Sequence, residues 1–334
     1  MERWFAFLTA VWYLLQHQLR AEVWLRLRGD ALWGCRLTSQ EQRRCRHYFR
    51  GAVFLGAVFA AQRGRAMQRD ELQQFAYLAA LAGLFDDTSE TAVEAASVQV
   101  VLPLAAGATL ASVLHAYARE ADSGEVLVFF WEKIRSRLPS EVVGFFEETL
   151  HRVFNTETSG VWWAPMPSSA EFLVEMSAQK GGHSALLFRL LLTPPPSTTE
   201  CQVALALGTL VQISDDLFDL WHDARQRLWT PARWWAEMGQ LDRAARYFDQ
   251  AWQHFDTALR AASAASAQRY LVGRAQVGLL AVLTRFCLAH YQRLAEKHGT
   301  LPWQNRKAMV LDMARWSVRL RAFGFALQNG FWPK

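Results

Sequence analysis

Four aspartates fall within the segment Gln212-Ile213-Ser214-Asp215-Asp216-Leu217-Phe218-Asp219-Leu220-Trp221-His222-Asp223. Asp215, Asp219 and Asp223 recur at i, i+4 and i+8, so on a helix they share one stripe, flanked by Leu217, Phe218, Leu220 and Trp221. Like charges at that spacing repel by about a few tenths of a kcal/mol even in water. Bare carboxylates in apolar surroundings cost far more. A divalent cation relieves both costs, and oxygen ligands suit Mg²⁺, which takes one or two carboxylates together with substrate phosphates. The competing reading is a solvated acidic face. A second acidic segment, Leu81-Ala82-Gly83-Leu84-Phe85-Asp86-Asp87-Thr88-Ser89-Glu90, ends an Ala/Leu run in three carboxylates. Asp86 and Glu90 share a face there. Read as a helix C-terminus, these acids oppose the macrodipole and call for a cationic partner. Between the two lies Glu175-Met176-Ser177-Ala178-Gln179-Lys180-Gly181-Gly182-His183-Ser184, with one of the chain's few lysines. Each mid-helix glycine costs about 1 kcal/mol relative to alanine, and a Gly pair is a cause of kinks. A kink would free backbone groups near Lys180. The plainer reading is a flexible junction with a surface lysine.

In this order, the three elements resemble the class I isoprenoid synthases, which comprise trans-prenyl diphosphate synthases and class I terpene synthases. Asp86-Asp87-Thr88-Ser89-Glu90 is similar to the first acidic motif of that family. Val211-Gln212-Ile213-Ser214-Asp215-Asp216-Leu217-Phe218-Asp219 resembles the second motif of prenyl synthases, lacking only its Phe. The triad Asp215, Asp219, Asp223 also resembles the metal ligands of terpene synthases. Met176 and Lys180 match a Met-x-x-x-Lys-Thr helix, with Gly181 in place of Thr. The separations, 180 − 86 = 94 and 215 − 180 = 35, are similar to the family's, and the likeness covers roughly residues 40–225. The resemblance implies an all-α fold, a single large helical bundle with a central cavity, and about three Mg²⁺ ions. The metal ligands it implies are Asp86, Asp87, Glu90, Asp215, Asp219 and Asp223, of which Asp86, Asp87, Asp215 and Asp219 serve catalysis. Lys180 is expected to contact the diphosphate of a prenyl diphosphate substrate. Arg46, Arg50 and Arg225 are weaker candidates, with Arg227 and the trio Arg315, Arg319 and Arg321 behind them. The implied chemistry is ionisation of the C–O bond to an allylic cation in a dry cavity whose aromatic faces stabilise positive charge. Ala82, Phe85, Trp162, Trp163, Phe188, Gln212 and Phe218 are candidate lining, and the small Ala82 and Gly83 suggest room for a long chain.

Chain elongation needs a second, isopentenyl diphosphate site, built in the family from Gly-Lys-x-x-Arg upstream and Arg-Arg-Gly after the first acidic motif. Here the upstream stretch is Arg43-Arg44-Cys45-Arg46-His47-Tyr48-Phe49-Arg50-Gly51, without Gly-Lys, and Thr91-Ala92-Val93-Glu94-Ala95-Ala96 holds no arginine. An anionic co-substrate is poorly held without those cations. The expectation is therefore a terpene synthase that cyclises or eliminates, with the elongase as runner-up, for which Gln212, Met176 and Lys180 speak. A non-catalytic partner subunit of a prenyl synthase ranks below these, since both acidic motifs survive. A His-Asp phosphohydrolase built on His222-Asp223 ranks last.

These residues have to be positioned by helices. Apolar spacing near i, i+3, i+4 predicts helices at 4–28, 40–64, 70–86, 106–120, 140–155, 169–193, 198–225, 239–264, 267–297 and 303–328. Pro139, Pro231 and Pro302 suit first-turn positions, and Ser197-Thr198-Thr199-Glu200 is a capping-box start. The strand-like run Ser97–Leu104 lacks a partner. No linker or fixed repeat interrupts the chain, so residues 1–334 are read as one domain, because helices 215 − 86 = 129 positions apart must serve one site. Composition agrees with a packed chain: 51% hydrophobic residues over 334 exclude disorder, and 15 Trp with 21 Phe demand a large core, a cavity or a membrane. The net charge, 36 − 31 = +5, is no nucleic-acid footprint, and arginine supplies most of the cations. Cys35, Cys45, Cys201 and Cys287 show no CxxC spacing and read as small hydrophobes in a reducing, cytoplasmic setting. The run Trp4–Leu15 is too short to span a bilayer and predicts a buried first helix. A helix lying on a membrane is the other reading, because Arg20, Arg26 and Arg28 follow it. The expected partners are a prenyl diphosphate, peripheral membrane through that helix, and a second copy of the chain.

Overall fold

A computed structural model describes residues 2–29, 32–33, 37–94, 124–157, 169–312 and 315–329, and among them every regular element is helical. The order is α1 (Glu2–Gly29), α2 (Ser39–Arg63), α3 (Arg69–Glu94), α4 (Gly124–Arg135), α5 (Ser140–Glu157), α6 (Ala170–Leu190), α7 (Thr198–Phe218), α8 (Leu220–Gln226), α9 (Pro231–Glu237), α10 (Leu241–Ala262), α11 (Ala267–His298), α12 (Arg306–Met309) and α13 (Trp316–Asn329). The chain groups into two compact units. Unit I holds Leu8–Ser159 and His183–Cys201, and unit II holds Met1–Phe7, Gly160–Gly182 and Gln202–Lys334.

Several elements depart from the expected pattern. The run 106–120 and the strand-like 97–104 lie outside the described residues. Helix α3 does not stop at residue 86 but continues to Glu94, so its acids sit within a helix and the argument from a C-terminal macrodipole falls. The segment 124–135 forms α4, which the periodicity had not marked. Its Leu127, Phe130, Trp131 and Ile134 stand at i, i+3, i+4 and i+7 and are buried, worth roughly 1.5–3 kcal/mol each. The expected 198–225 helix breaks at Asp219, and 303–328 divides into α12 and α13 around an extended residue, Val310.

Unit I is fastened by buried charge. Glu71 accepts from Arg63 at 2.9 Å, from Arg65 at 2.6 Å, from the Gln68 amide at 2.7 Å and from the Thr193 amide at 3.1 Å. Burial pushes its carboxyl up, but the bonds from Arg65, Arg63 and Gln68 outweigh it and hold the group at about 2. Arg189, fully buried, pairs with Glu200 at 2.9 Å and donates to the carbonyls of Leu192 and Pro194. Glu200 and Ser197 form the expected capping box: each side chain takes the other's backbone N–H, at 2.8 and 3.3 Å. An unforeseen capping box, Thr38 with Glu41, starts α2.

Helix α1 is not the buried helix that its apolar run predicts. Ala10, His17, Ala21 and Leu25 are buried, while Trp12, Leu15 and Leu19 on the opposite face are exposed. In unit II, α10 buries Leu241, Ala244, Phe248, Ala251, Trp252, Phe255 and Leu259 at helical spacing. Helix α13 sets Val318 and Ala322 against Phe286 of α11. Among the described residues α11 alone is long and apolar enough to cross a membrane, and 67% of that stretch is buried within the protein. Of the cysteines described, Cys45 and Cys287 are buried and Cys201 is half-buried, and none of the three is in a disulfide.

Candidate functional site

The second acidic segment occupies the end of α7 and the start of α8, in unit II. At Asp219 the backbone leaves helical geometry (φ −95°, ψ 7°), yet Asp219 N–H still reaches the Asp215 carbonyl and Asp223 N–H the Asp219 carbonyl, both at 2.9 Å. The i, i+4, i+8 register therefore survives the break. The four acids divide by environment. Asp215 and Asp219 are exposed, whereas Asp216 and Asp223 are buried.

Asp216 accepts from Gln212 Nε2 at 2.9 Å and from Ser177 Oγ of α6 at 3.1 Å. Burial drives its carboxyl up to about 6; the two hydrogen bonds and the charge of Lys180 pull down, and Asp219 pushes up. Asp223 is also raised well above the usual carboxylate range, first by burial and then by the charges of Asp216, Asp219 and Asp215, with the Thr230 hydroxyl (3.2 Å) favouring its ionised form. Thr230 also caps α9, whose first residue is Pro231 as the sequence suggested. Tyr247 of α10 is pushed up to about 12 by burial and then by Asp216. The segment is thus a set of mutually repelling, partly desolvated carboxylates with Lys180 beside it. That donor set fits a hard divalent cation, which would restore the ionised forms. Among the described residues no group of three or more His, Cys, Asp and Glu side chains is placed to hold a metal ion, so an ion here would take one or two carboxylates and be completed by substrate phosphate and water.

Lys180 is positioned by close packing of α6 on α7. A Cβ on Gly181 would lie 2.5 Å from Gln212 Cβ and nearer still to the Gly208 carbonyl oxygen, and one on Gly182 would lie 3.1 Å from the Leu205 carbonyl oxygen. The glycines therefore do not break the helix, as a kink would; α6 runs unbroken from Ala170 to Leu190 and they let the two backbones touch.

The first acidic segment lies on α3, in unit I. Asp86 Oδ2 accepts from Arg44 Nη2 at 3.0 Å and from the Tyr48 hydroxyl, both on α2. Tyr48 is held far above its usual range by burial and by Asp86. The Tyr48 ring fills the space beside Gly83, where an added Cβ would come within 3.1 Å of it, so this small residue makes room for Tyr48 rather than opening a channel. The side chains of Asp87 and Glu90, and residues Trp162 and Trp163, lie outside the described ones.

The other candidates are dispersed. Arg50 forks onto Glu22 of α1 at 3.0 and 3.2 Å, on the side of α2 away from Asp86, and Arg46 is exposed on that side too. Arg225 lies over the Trp221 ring, and Arg227 is exposed at the left-handed end of α8. Phe85 stacks on Phe154 with ring centres 4.0 Å apart, and Phe188 packs on Phe75. Ala82 is half-buried and Phe218 exposed. A groove of about 590 Å³ opens between Glu237, Asp242, Glu296 and Trp303, and no residue of either acidic segment lines it.

Asp216 is the site residue that spacing alone passed over. Ile213, Leu217 and Leu220, at its i−3, i+1 and i+4 positions, are all buried, and they mark its face as the inner one. No family model matches this chain, no curated protein is similar to it, and no solved structure matches it.

Proposed function

We propose that the chain is a Mg²⁺-dependent class I terpene synthase, which ionises a prenyl diphosphate to an allylic cation and cyclises or eliminates it. The supporting observation is the acidic stripe of α7–α8, where two buried carboxylates with raised proton affinity lie against two exposed ones and Lys180. In this reading Asp215, Asp219 and Asp223 are the expected Mg²⁺ ligands of the second acidic motif, as Asp86, Asp87 and Glu90 are of the first, with diphosphate oxygens and water completing each ion. Bound Mg²⁺ would supply neutralisation of the departing diphosphate. Lys180 contacts the diphosphate. Gln212 and Ser177 fix Asp216, and through it the pitch of the stripe. The all-helical architecture agrees with the class I bundle, and a central cavity walled by aromatic residues belongs to the proposal.

The elongase is the second reading, favoured by Gln212, which bonds the second acidic motif as a prenyl-synthase-like pattern would have it. The experiment incubates the protein with Mg²⁺ and allylic diphosphates of graded length, with and without isopentenyl diphosphate. Hydrocarbon or alcohol from the allylic substrate alone is expected. Product only with isopentenyl diphosphate would replace the cyclase by the elongase, and no product in either arm would leave the partner subunit. Asp215→Ala and Asp86→Ala should abolish Mg²⁺-dependent diphosphate release while circular dichroism stays unchanged. Undiminished release would sink the metal assignment.

A further inference from the structure

Helix α1 carries a second apolar face that the protein does not cover. Leu8, Trp12, Leu15, Leu19, Val23 and Leu27 follow one another at i, i+4, i+7, i+11, i+15 and i+19, and each is between 54% and 76% exposed. The stripe runs over 27 − 8 = 19 residues, roughly 28 Å at 1.5 Å per residue. The other side of the helix is seated: Ala10, His17, Ala21 and Leu25 are buried, the Met67 amide donates to His17 Nε2, and Arg20 donates to the Met67 carbonyl. The helix is thus held in place by one face while it presents the other.

The border of the stripe decides its occupant. Arg20 and Arg26 are exposed along its second half, and exposed Arg43, Arg46 and Arg50 stand at i, i+3 and i+7 on the adjoining α2. Among the described residues the acid on this border is Glu22, which Arg50 already grips with two hydrogen bonds. A second copy of the chain would set these arginines against apolar side chains or against one another, without carboxylates to meet them. A bilayer surface rich in anionic headgroups meets both demands, since acyl chains accept the Leu/Trp stripe and phosphates accept the arginine border. We infer that α1 is an interfacial helix that lays the protein on an anionic membrane, with the stripe sunk to headgroup depth.

The test is co-sedimentation of the full chain with phosphatidylcholine vesicles and with vesicles containing phosphatidylserine. Binding should be strong to the anionic vesicles, weak to the neutral ones, and diminished at high salt. Leu15→Glu/Leu19→Glu, both on the exposed face, should cut the partition coefficient at least tenfold without changing circular dichroism or the melting temperature. Arg26→Gln/Arg46→Gln should lower it by about fivefold per charge on anionic vesicles only. No vesicle binding, or binding that survives in the leucine variant, would overturn the inference. So would a wild-type dimer in light scattering that the leucine variant dissociates while vesicles go unbound, since the stripe would then seat a second copy. Binding retained by the α1 variant but lost in Trp316→Ser/Leu320→Ser, on the exposed face of α13, would transfer the surface to α13.

Discussion

Replacing Asp216 by asparagine should make this protein more stable at pH 8. Gln212 Nε2 donates to one carboxylate oxygen at 2.9 Å and Ser177 Oγ to the other at 3.1 Å. Asparagine keeps an oxygen for Gln212, and its amide N–H can donate to a Ser177 hydroxyl that has turned to accept. The hydrogen bonds therefore persist while the buried charge goes. The carboxyl holds its proton up to about 6 in the fold against 3.8 in an unfolded chain. Its ionisation thus opposes folding: the stability it contributes is whole below 3.8 and drains away as pH rises through 6. At 1.36 kcal/mol per pH unit, the rise from 3.8 to about 6 is worth on the order of 3 kcal/mol above pH 6 and roughly half of that at pH 5. Asp223, whose carboxyl Asp216 also pushes up, is relieved in the same direction. The assay is urea unfolding of wild type and Asp216→Asn at pH 8 and pH 5, followed by tryptophan fluorescence. A variant less stable than wild type at pH 8, or an equal gain at both pH values, would refute the reasoning.

Three further substitutions probe the frame of the site. Glu71→Gln leaves the buried Arg63 side chain and the half-buried Arg65 without their carboxylate and should cost about 3–5 kcal/mol in denaturant melts at pH 7. Because the Glu71 carboxyl sits at about 2 in the fold, its stabilisation is present above 4.5 and lost as pH falls toward 2, so the gap between the proteins should narrow in acid. Gly181→Ala forces α6 off α7 and should destabilise by about 1–3 kcal/mol in the same melts, with loss of diphosphate affinity if Lys180 moves with the helix. Tyr48→Phe removes a hydroxyl donor to Asp86 Oδ2 and should cost about 1.5–3 kcal/mol, read by thermal unfolding.

Signals that act within a few residues were legible in the chain. The Ser197–Glu200 box and the proline opening α9 stand where their chemistry put them, because a cap needs only its own first turn. Gly181 was legible as an exceptional position but not for its reason, since the neighbour that forbids a Cβ is Gly208, on another helix. The stripe Asp215, Asp219, Asp223 followed from period alone, yet which acid is dry and which is wet depends on what packs against the helix, and Asp216 emerged only with Ser177 beside it. Helix α1 misled because both of its faces are apolar, and composition cannot say which one the protein covers.

The bond from the Thr193 amide to Glu71 spans 122 residues, and it carries a consequence for how the chain is made. At about 5–20 residues per second, Thr193 leaves the ribosome roughly 6–24 s after Glu71. Through that interval the carboxylate has Arg63, Arg65 and Gln68 to hold it but not its fourth donor. Unit I therefore cannot close when its first five helices have been made; it waits for the turn between α6 and α7. A fragment ending at residue 159 would lack that turn permanently, together with the Arg189–Glu200 pair, and would remain in the condition of the nascent chain.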